Sequence, residues 1–160
     1  GIEDSLIIDD TYNSSPFACE SALKTLGEIK SGGRKIAVLG DMLELGKHTV
    51  EAHKNIGRIA KENASVLMVV GHRAENIKEG ALEVYPSPGG QGMNKENIFE
   101  FLDSYKAGEF LKTFIKKDDL ILVKGSQGMR MERAVEAILK DKEDKNKLLV
   151  RQDAEWLDKK

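Results

Sequence analysis

Three short segments hold the residues of this sequence whose types and spacing could do chemistry. Residues 9–16 read Asp-Asp-Thr-Tyr-Asn-Ser-Ser-Pro, residues 40–46 read Gly-Asp-Met-Leu-Glu-Leu-Gly, and residues 124–130 read Lys-Gly-Ser-Gln-Gly-Met-Arg. Each segment follows a short apolar run. Because ligands bind beyond the carboxyl ends of the strands in open parallel sheets, these segments, named here the first, second and third loop, are the candidate site.

The first loop combines acids, hydrogen-bonding groups and an aromatic ring just before a predicted helix. Asp10 could hold a ribose, and Tyr12 and Asn13 could stack on a base or contact its edge. The same residue types suit tight turns and helix capping, with Ser14 or Ser15 as the N-cap. Judged from the residues alone, nucleotide binding and turn chemistry are equally open.

The third loop brings two cations, Lys124 and Arg130, and the hydroxyl of Ser126 to a predicted strand end and helix start. Backbone N–H groups and the helix dipole favour an anion at such a place. An arginine can hold a carboxylate or a phosphate through two parallel hydrogen bonds. We favour an anion site over an ordinary turn with solvated cations, because the cations, the backbone N–H groups and the helix dipole all favour a negatively charged ligand.

The second loop resembles a phosphate-binding P-loop only superficially. Five residues separate Gly40 from Gly46 where the motif needs four, and His48 stands where the motif needs a serine or threonine for magnesium. Acidic residues inside the loop would also repel phosphates. The two glycines are predicted to be hinges, and Met42 and Leu43 to be lids or packing groups.

The histidines and the single cysteine form no recognisable catalytic or metal-binding set. His48 and His53 are five residues apart, off the i, i+4 spacing of a helical metal pair, and His72 shares no ligand spacing with carboxylates. We therefore predict no metal site made by this chain alone and no Ser-His-Asp arrangement. Cys19 lies on a predicted apolar helix stripe, which indicates a core residue and not a nucleophile.

The elements that must position these loops follow from short apolar runs that alternate with segments of helical period. The pattern predicts an α/β fold, a Rossmann-like three-layer sandwich with a mostly parallel sheet of about five to six strands and helices on both faces. The inward stripes of the first two helices are predicted to include Phe17 and Val50. Residues 85–95, rich in proline and glycine, are predicted to be a surface loop. Strands are predicted at five apolar runs, residues 5–9, 35–39, 65–70, 98–101 and 119–123.

Length and composition limit the possible functions. At 160 residues the chain fits one domain, and 40% hydrophobic with 32% charged residues is typical of a globular protein. A formal net charge of −2 creates no global field that would favour nucleic acid or an acidic membrane. No apolar run approaches the roughly 20 residues needed to span a bilayer. One cysteine excludes an internal disulfide and suits a reducing cytoplasm. We expect a cytoplasmic monomer that binds neither nucleic acid nor membrane.

Residues 1–140 are predicted to be the folded domain, and residues 141–160 a charged linker. All but one of residues 140–147 are charged, which indicates a solvated run. Residues 148–152 could add an edge strand or belong to a tail, with Trp156 folding back as an anchor.

Taken together, the three loops resemble the signatures of the C-terminal domain of the Mur ligases. The matching residues, 10–16, 39–46 and 124–132, agree in order, spacing and strand-end position, and the resemblance covers about residues 2–140. The Asp-Met pair of the second loop and the Met-Arg-Met-Glu run favour the family member that adds D-alanyl-D-alanine. Members have a UDP-sugar peptide domain, a central ATPase domain and a mobile C-terminal domain. The resemblance therefore implies one domain of a longer bacterial enzyme.

For activity, the resemblance implies an ATP-dependent ligase of peptidoglycan biosynthesis. ATP activates the carboxylate of UDP-muramoyl-tripeptide, and the amine of D-alanyl-D-alanine then attacks it. ATP and Mg²⁺ would be bound mainly by the central domain, which this chain lacks. Asp10 would hold the ribose or an arginine of that domain, and Tyr12 and Asn13 would lie by the adenine and the phosphates.

The same resemblance implies a set of residues that face the incoming dipeptide or the transferred carboxylate: Asp41, Met42, Lys124, Ser126 and Arg130. Gln127 departs from the arginine expected at its position, which removes one charge. Because catalysis needs an enclosed site that positions both substrates, and this chain is one wall of it, we expect the isolated chain to have no ligase activity.

Parts of the sequence also fit other functions. A receiver-type signalling domain would use Asp9, Asp10 and Lys124, but it also needs an aspartate at the end of the third strand, where Val70 and Gly71 stand. A non-catalytic nucleotide- or peptide-binding module of the same fold stays open. So does the corresponding domain of another Mur ligase or of a folylpolyglutamate ligase.

Overall fold

The computed structural model describes residues 1–84 and 91–157, and a parallel sheet forms its centre. Within these residues the sheet has five strands: β1 (Leu6–Asp10), β2 (Lys35–Gly40), β3 (Val66–Val70), β4 (Ile98–Phe101) and β5 (Leu120–Lys124). The strands lie in the order β1-β5-β2-β3-β4, and each neighbouring pair is parallel. The predicted α/β class and all five predicted strands are confirmed, with ends shifted by about one residue.

Helices cover both faces of the sheet, as predicted. One face carries three helices, α1 (Pro16–Glu28), α2 (Thr49–Asn63) and α3 (Glu75–Leu82). The other face carries α4 (Ser104–Phe114) and α5 (Glu132–Ile138). Two short helices follow, α6 (Lys145–Leu148) and α7 (Ala154–Leu157). In the part of the chain that is described, no helix is both long and apolar enough to cross a membrane.

The strands send alternate side chains into two separate cores. Ala37 and Leu39 of β2 lie in the core beneath α1, α2 and α3, whereas Ile36 and Val38 lie in the core beneath α4 and α5. Every residue of β3 and β5 is buried, as expected for strands covered on both faces. The loops at the carboxyl edge are thus attached to a closely packed support.

Two helix residues predicted to point inward are exposed instead. Phe17 in α1 is 80% exposed and Val50 in α2 is 52% exposed. Both stand in the first turn of helices that begin at the carboxyl edge of the sheet. The helical period was right, but this first turn lies beyond the end of the strands, so no core is available there.

The tail segment (residues 141–157) differs from the prediction. Residues 148–152 form no edge strand: α6 ends at Leu148, Leu149 enters the core beneath α4 and α5, and Arg151 has a left-handed backbone with φ 58°. A left-handed residue cannot continue a strand, so of the two alternatives left open, an edge strand and a tail, the structure has the tail. Of the predicted surface loop at 85–95, residues 85–90 lie outside the described residues.

Candidate functional site

The register between β1, β5 and β2 brings the three loops to one edge of the sheet. Asp10, the last residue of β1, pairs in register with Lys124, the last residue of β5, and Lys124 also pairs with Leu39 of β2. The loops therefore leave the sheet side by side, as the sequence predicted. The N–H of Ser126 donates to the carbonyl of Asp41 (3.0 Å), which joins the third loop to the second.

Lys124 is buried and bound to the first loop. Its side chain is 1% exposed, and its Nζ donates to Oδ2 of Asp10 (2.7 Å) and to the carbonyl of Asn13 (2.8 Å). A buried ammonium is tolerated when a carboxylate and further acceptors pair with it. In this structure Lys124 holds the first loop in place, and its contact with substrate stays a prediction. Asp10, with 43% of its side chain exposed, is the accessible member of the pair.

Ser126 connects all three loops through its hydroxyl. Its Oγ accepts from the N–H of Leu43 in the second loop (2.8 Å) and donates to the carbonyl of Ser14 in the first loop (3.3 Å). The residue is buried. In this structure its hydroxyl supports the loops, and its contact with substrate stays a prediction.

The first loop has a fixed base and an accessible tip. At the base, the N–H and the hydroxyl of buried Thr11 donate to Oδ1 of Asp9 (3.2 and 2.7 Å). At the tip, Tyr12 is 70% exposed and Asn13 is exposed. These are the two residues that the sequence indicated for nucleotide binding. Ser15 is the N-cap of α1, since its Oγ accepts from the N–H of Ala18 (3.2 Å).

The second loop is held from beneath by a buried histidine. Met42 is 1% exposed and packs in the core, and its contact with substrate stays a prediction. The N–H of Met42 donates to Nε2 of His53 (3.0 Å), and Nδ1 of His53 lies 2.7 Å from the carbonyl of Thr49. This pattern requires a neutral imidazole that carries its proton on Nδ1. Burial lowers the pKa of His53, which favours the same form.

Asp41 is also buried, and its contact with the dipeptide stays a prediction. Its Oδ1 accepts from the N–H of Ala74 (2.7 Å), and its Oδ2 lies 3.7 Å from Nη1 of Arg73. The carboxylate thus joins the second loop to the turn after β3. Arg73, 52% exposed, adds an accessible cation to this edge.

Arg130 packs against the tail segment. It has a left-handed backbone (φ 52°) and is buried. Its Nε donates to Oε1 of Glu132 (2.5 Å), and its Nη1 donates to the carbonyl of Trp156 (2.8 Å). The predicted anion site took account of the cations of the third loop but not of the carboxylates that reach them, Asp10 for Lys124 and Glu132 for Arg130. Both cations are therefore engaged within the protein.

A cleft of about 380 Å³ lies between the loops and the tail segment. This volume falls in the range of small-molecule sites, which begins at roughly 300 Å³. Of the residues predicted from the sequence, Asn13 and Ser126 reach it. Among the described residues, those that line the cleft are Asn13, Leu43, Glu44, Ser126, Gln127, Gly128 and Trp156.

The arrangement offers binding and positioning groups. Cys19 is buried as predicted, and burial raises the pKa of its thiol to about 12, so the thiolate form is disfavoured. Within residues 1–84 and 91–157, no group of three or more histidine, cysteine, aspartate or glutamate residues could hold a metal ion. Hydrogen-bonding groups, two aromatic rings and a fixed cleft suit recognition of a ligand.

The chain is similar in sequence to known proteins. Residues 1–127 match the family model described as Mur ligase, glutamate ligase domain. The UDP-N-acetylmuramoyl-tripeptide–D-alanyl-D-alanine ligase of Buchnera aphidicola subsp. Acyrthosiphon pisum is 35% identical over 143 residues, which are 88% of this chain and 28% of that protein. The enzyme of the same name from Bacillus subtilis is 31% identical over 134 residues, 83% of this chain and 28% of that protein.

Solved structures give the same result. The MurF ligase from Thermotoga maritima in complex with ADP aligns with a TM-score of 0.65 and 29% identity, over 90% of this chain and 29% of that chain. MurF from Acinetobacter baumannii aligns with a TM-score of 0.67 and 28% identity, over 82% of this chain and 27% of that chain. The chain thus spans between a quarter and a third of the length of these relatives.

Proposed function

Since the chain belongs to the Mur ligase family, we propose that it is the C-terminal domain of an ATP-dependent ligase of peptidoglycan synthesis. The enzyme joins D-alanyl-D-alanine to UDP-muramoyl-tripeptide. It uses ATP and Mg²⁺, both held mainly by the central domain of the enzyme. The proposal includes action as a monomer in the bacterial cytoplasm.

One observation carries the proposal: Lys124 and Ser126 tie the three loops into a single edge that opens on a cleft. The exposed tip of the first loop, Tyr12 and Asn13, is suited to the adenine and ribose side of ATP. Asp10, half-exposed beside them, can accept hydrogen bonds from a ribose or from an arginine of the central domain. The cleft next to this tip is suited to the incoming dipeptide.

The role of this domain in the reaction is to position substrates and exclude water. ATP phosphorylates the carboxylate of the tripeptide, and the dipeptide amine displaces the phosphate to form the amide. The residues on this edge hold one substrate against the other, which converts a bimolecular encounter into a reaction between fixed partners. Activation of the carboxylate by ATP and binding of the UDP-sugar belong to the other domains.

The test is an assay of the complete enzyme that carries this chain, with ATP, Mg²⁺ and UDP-muramoyl-tripeptide. We expect phosphate release that depends on D-alanyl-D-alanine, and the amide product by mass spectrometry. Release that depends on a different amine would assign the chain to another Mur or folylpolyglutamate ligase. No release with any amine would leave a non-catalytic binding module.

The isolated 160-residue chain provides a second test. We expect it to show no turnover, because it supplies one wall of the site. Turnover by the highly purified chain, with ATP and both substrates, would contradict the assignment of the remaining chemistry to other domains.

A further inference from the structure

The tail segment contacts the first loop through one buried arginine. The side chain of Arg151 is 3% exposed, and its backbone is left-handed. Its Nη1 donates to the carbonyl of Thr11 (2.9 Å), and its Nη2 donates to the carbonyl of Tyr12. A single planar guanidinium therefore holds two successive carbonyls of the loop that presents Tyr12 and Asn13.

A buried carboxylate fixes the direction of this guanidinium. Oε2 of Glu132 accepts from Nη1 of Arg151 (3.1 Å), and Oε1 of Glu132 accepts from Nε of Arg130 (2.5 Å). The side chain of Glu132 is 2% exposed. Two buried arginines thus share one carboxylate, and backbone carbonyls accept further hydrogen bonds from them. Charge-assisted hydrogen bonds of this kind are strong and directional, so the first loop is held in one position.

The same segment brings Trp156 to the cleft. Trp156 lines the cleft together with Asn13 and Gln127. The guanidinium carbon of Arg151 lies 5.4 Å from the Trp156 ring centroid and 5.6 Å from the Tyr12 ring centroid. Both distances allow cation–π attraction. One arginine therefore contacts the two aromatic side chains of the ligand-facing edge.

We propose that Arg151 is a positioning residue of the ligase and that Trp156 forms a wall of its substrate cleft. Arg151 sets the backbone of the first loop so that Tyr12 and Asn13 meet the nucleotide. This inference rests on the proposed function. It concerns residues that lie past residue 127, where the match to the family model ends.

Arg34 offers a matched control at the opposite edge of the sheet. Its Nη2 donates to Oδ2 of Asp119 (2.6 Å) and to the carbonyl of Phe114 (2.8 Å). Like Arg151, it binds a buried carboxylate and a backbone carbonyl, but it lies far from the three loops along the strands. Arg34→Met and Arg151→Met should both lower stability, and only the second should affect ligand binding.

Hydrogen–deuterium exchange of the complete enzyme tests the positioning directly and requires no activity. We expect Arg151→Met to increase exchange in residues 11–15, and Arg34→Met to leave that segment as in the wild type. Calorimetric titration with Mg-ADP should show weaker binding for Arg151→Met alone, by about tenfold, since small misplacements of binding groups have large effects.

Kinetics then connect the loop to the reaction. Arg151→Met should raise KM for ATP about tenfold, while Arg151→Lys, which keeps the charge next to Glu132 but loses the fork, should recover stability and not KM. If Arg151→Met matches Arg34→Met in every measurement, with unchanged exchange in residues 11–15 and unchanged KM, Arg151 is merely structural and the inference is overturned. If the wild type forms no amide, the proposed function fails, and exchange and ADP titration still decide the role of Arg151.

The cleft wall is tested with Trp156→Ala and Trp156→Phe in the same enzyme. We expect Trp156→Ala to raise KM for D-alanyl-D-alanine about tenfold through the loss of a packed ring, and Trp156→Phe to restore most of the affinity. Equal KM values for the wild type and both variants would show that Trp156 does not contact the dipeptide.

Discussion

Asp10 and Lys124 are register partners at the ends of two neighbouring strands, and Nζ of Lys124 lies 2.7 Å from Oδ2 of Asp10. The two members differ in exposure: 1% for the lysine side chain and 43% for the aspartate side chain. This asymmetry decides what each substitution leaves behind. Removing Asp10 leaves a buried ammonium without a counter-charge, whereas removing Lys124 leaves a carboxylate that water can reach.

We therefore expect Asp10→Asn to destabilise the protein more than Lys124→Met. Asp10→Asn should cost about 3 kcal/mol, near the low end for breaking a buried pair. Lys124→Met, which fills a similar volume, should cost about 1–2 kcal/mol through the lost hydrogen bonds. The free energies of unfolding from urea titration give the order. A larger loss of stability for Lys124→Met would mean that water does not solvate the carboxylate of Asp10 when its partner is removed.

Tyr12 should contribute to nucleotide binding and little to stability, because it is 70% exposed. We expect Tyr12→Ala in the complete enzyme to raise KM for ATP about tenfold, or about 1.4 kcal/mol, within the range for base stacking on an aromatic ring. Tyr105→Ala is the matched control, since Tyr105 is 59% exposed on α4. Equal effects of the two substitutions on KM would argue against a nucleotide at the first loop.

His53 should make stability depend on pH. Burial lowers its pKa in the folded protein, so the unfolded chain takes up a proton first as the pH falls. The contribution of neutral His53 is complete above about pH 6.5 and decreases below it, by at most about 1.4 kcal/mol per pH unit. Protonation would also remove the acceptor for the N–H of Met42.

The measurement is the free energy of unfolding at pH 7.5 and 5.5 for the wild type and His53→Gln. Glutamine can accept from the same N–H but does not titrate. We expect a smaller loss of stability at pH 5.5 in His53→Gln than in the wild type. The same pH dependence in both proteins would assign the acid sensitivity to other groups.

Gly57 and Gly80 allow α2 and α3 to touch backbone to backbone. A Cβ on Gly57 would lie 1.9 Å from the carbonyl oxygen of Ile77, and a Cβ on Gly80 would lie 1.9 Å from that of Lys54. We expect Gly57→Ala and Gly80→Ala each to cost about 3 kcal/mol by overpacking, which exceeds the roughly 1 kcal/mol gain in helix propensity.

Gly32→Ala is the control for these glycines, because its Cβ would meet the nearest atom, Cβ of Asp118, at an ordinary 3.5 Å. Its denaturation midpoint should stay close to the wild-type value. If Gly57→Ala and Gly80→Ala keep wild-type midpoints as well, α2 and α3 can move apart without loss of stability, and their close approach has no energetic role.

The fold was predictable because apolar runs and turn residues act locally. The buried strands β3 and β5 and the loops that follow β1, β2 and β5 were all visible as runs and breaks in the sequence. Phe17 and Val50 were misplaced because periodicity identifies a helix face but does not say how far the neighbouring sheet extends. The exposed first turns depend on tertiary geometry.

The partners of the charged residues could not be predicted in the same way. Lys124 and Asp10 are 114 positions apart, and Arg151 reaches carbonyls 139 and 140 positions earlier. No pattern of spacing connects such residues. The sheet order brings Lys124 to Asp10, and the packing of the tail segment brings Arg151 to the first loop. Arg151 also follows a solvated charge run in the sequence, where a buried arginine has no distinguishing signal.

The position of β1 at the edge of the sheet has a consequence for the order of events during synthesis. Its neighbour in the sheet is β5, and each residue of β5 lies 114 positions after its partner in β1. Paired residues of β2 and β3 are only 30 positions apart. Long-range pairing is slow because chain closure precedes any gain in contacts. We expect nascent chains that end before Leu120 to leave residues 6–16 open to protease while the β2–β3 region gains protection. The nucleotide-facing loop is then assembled late, when the strand that carries Lys124 has emerged.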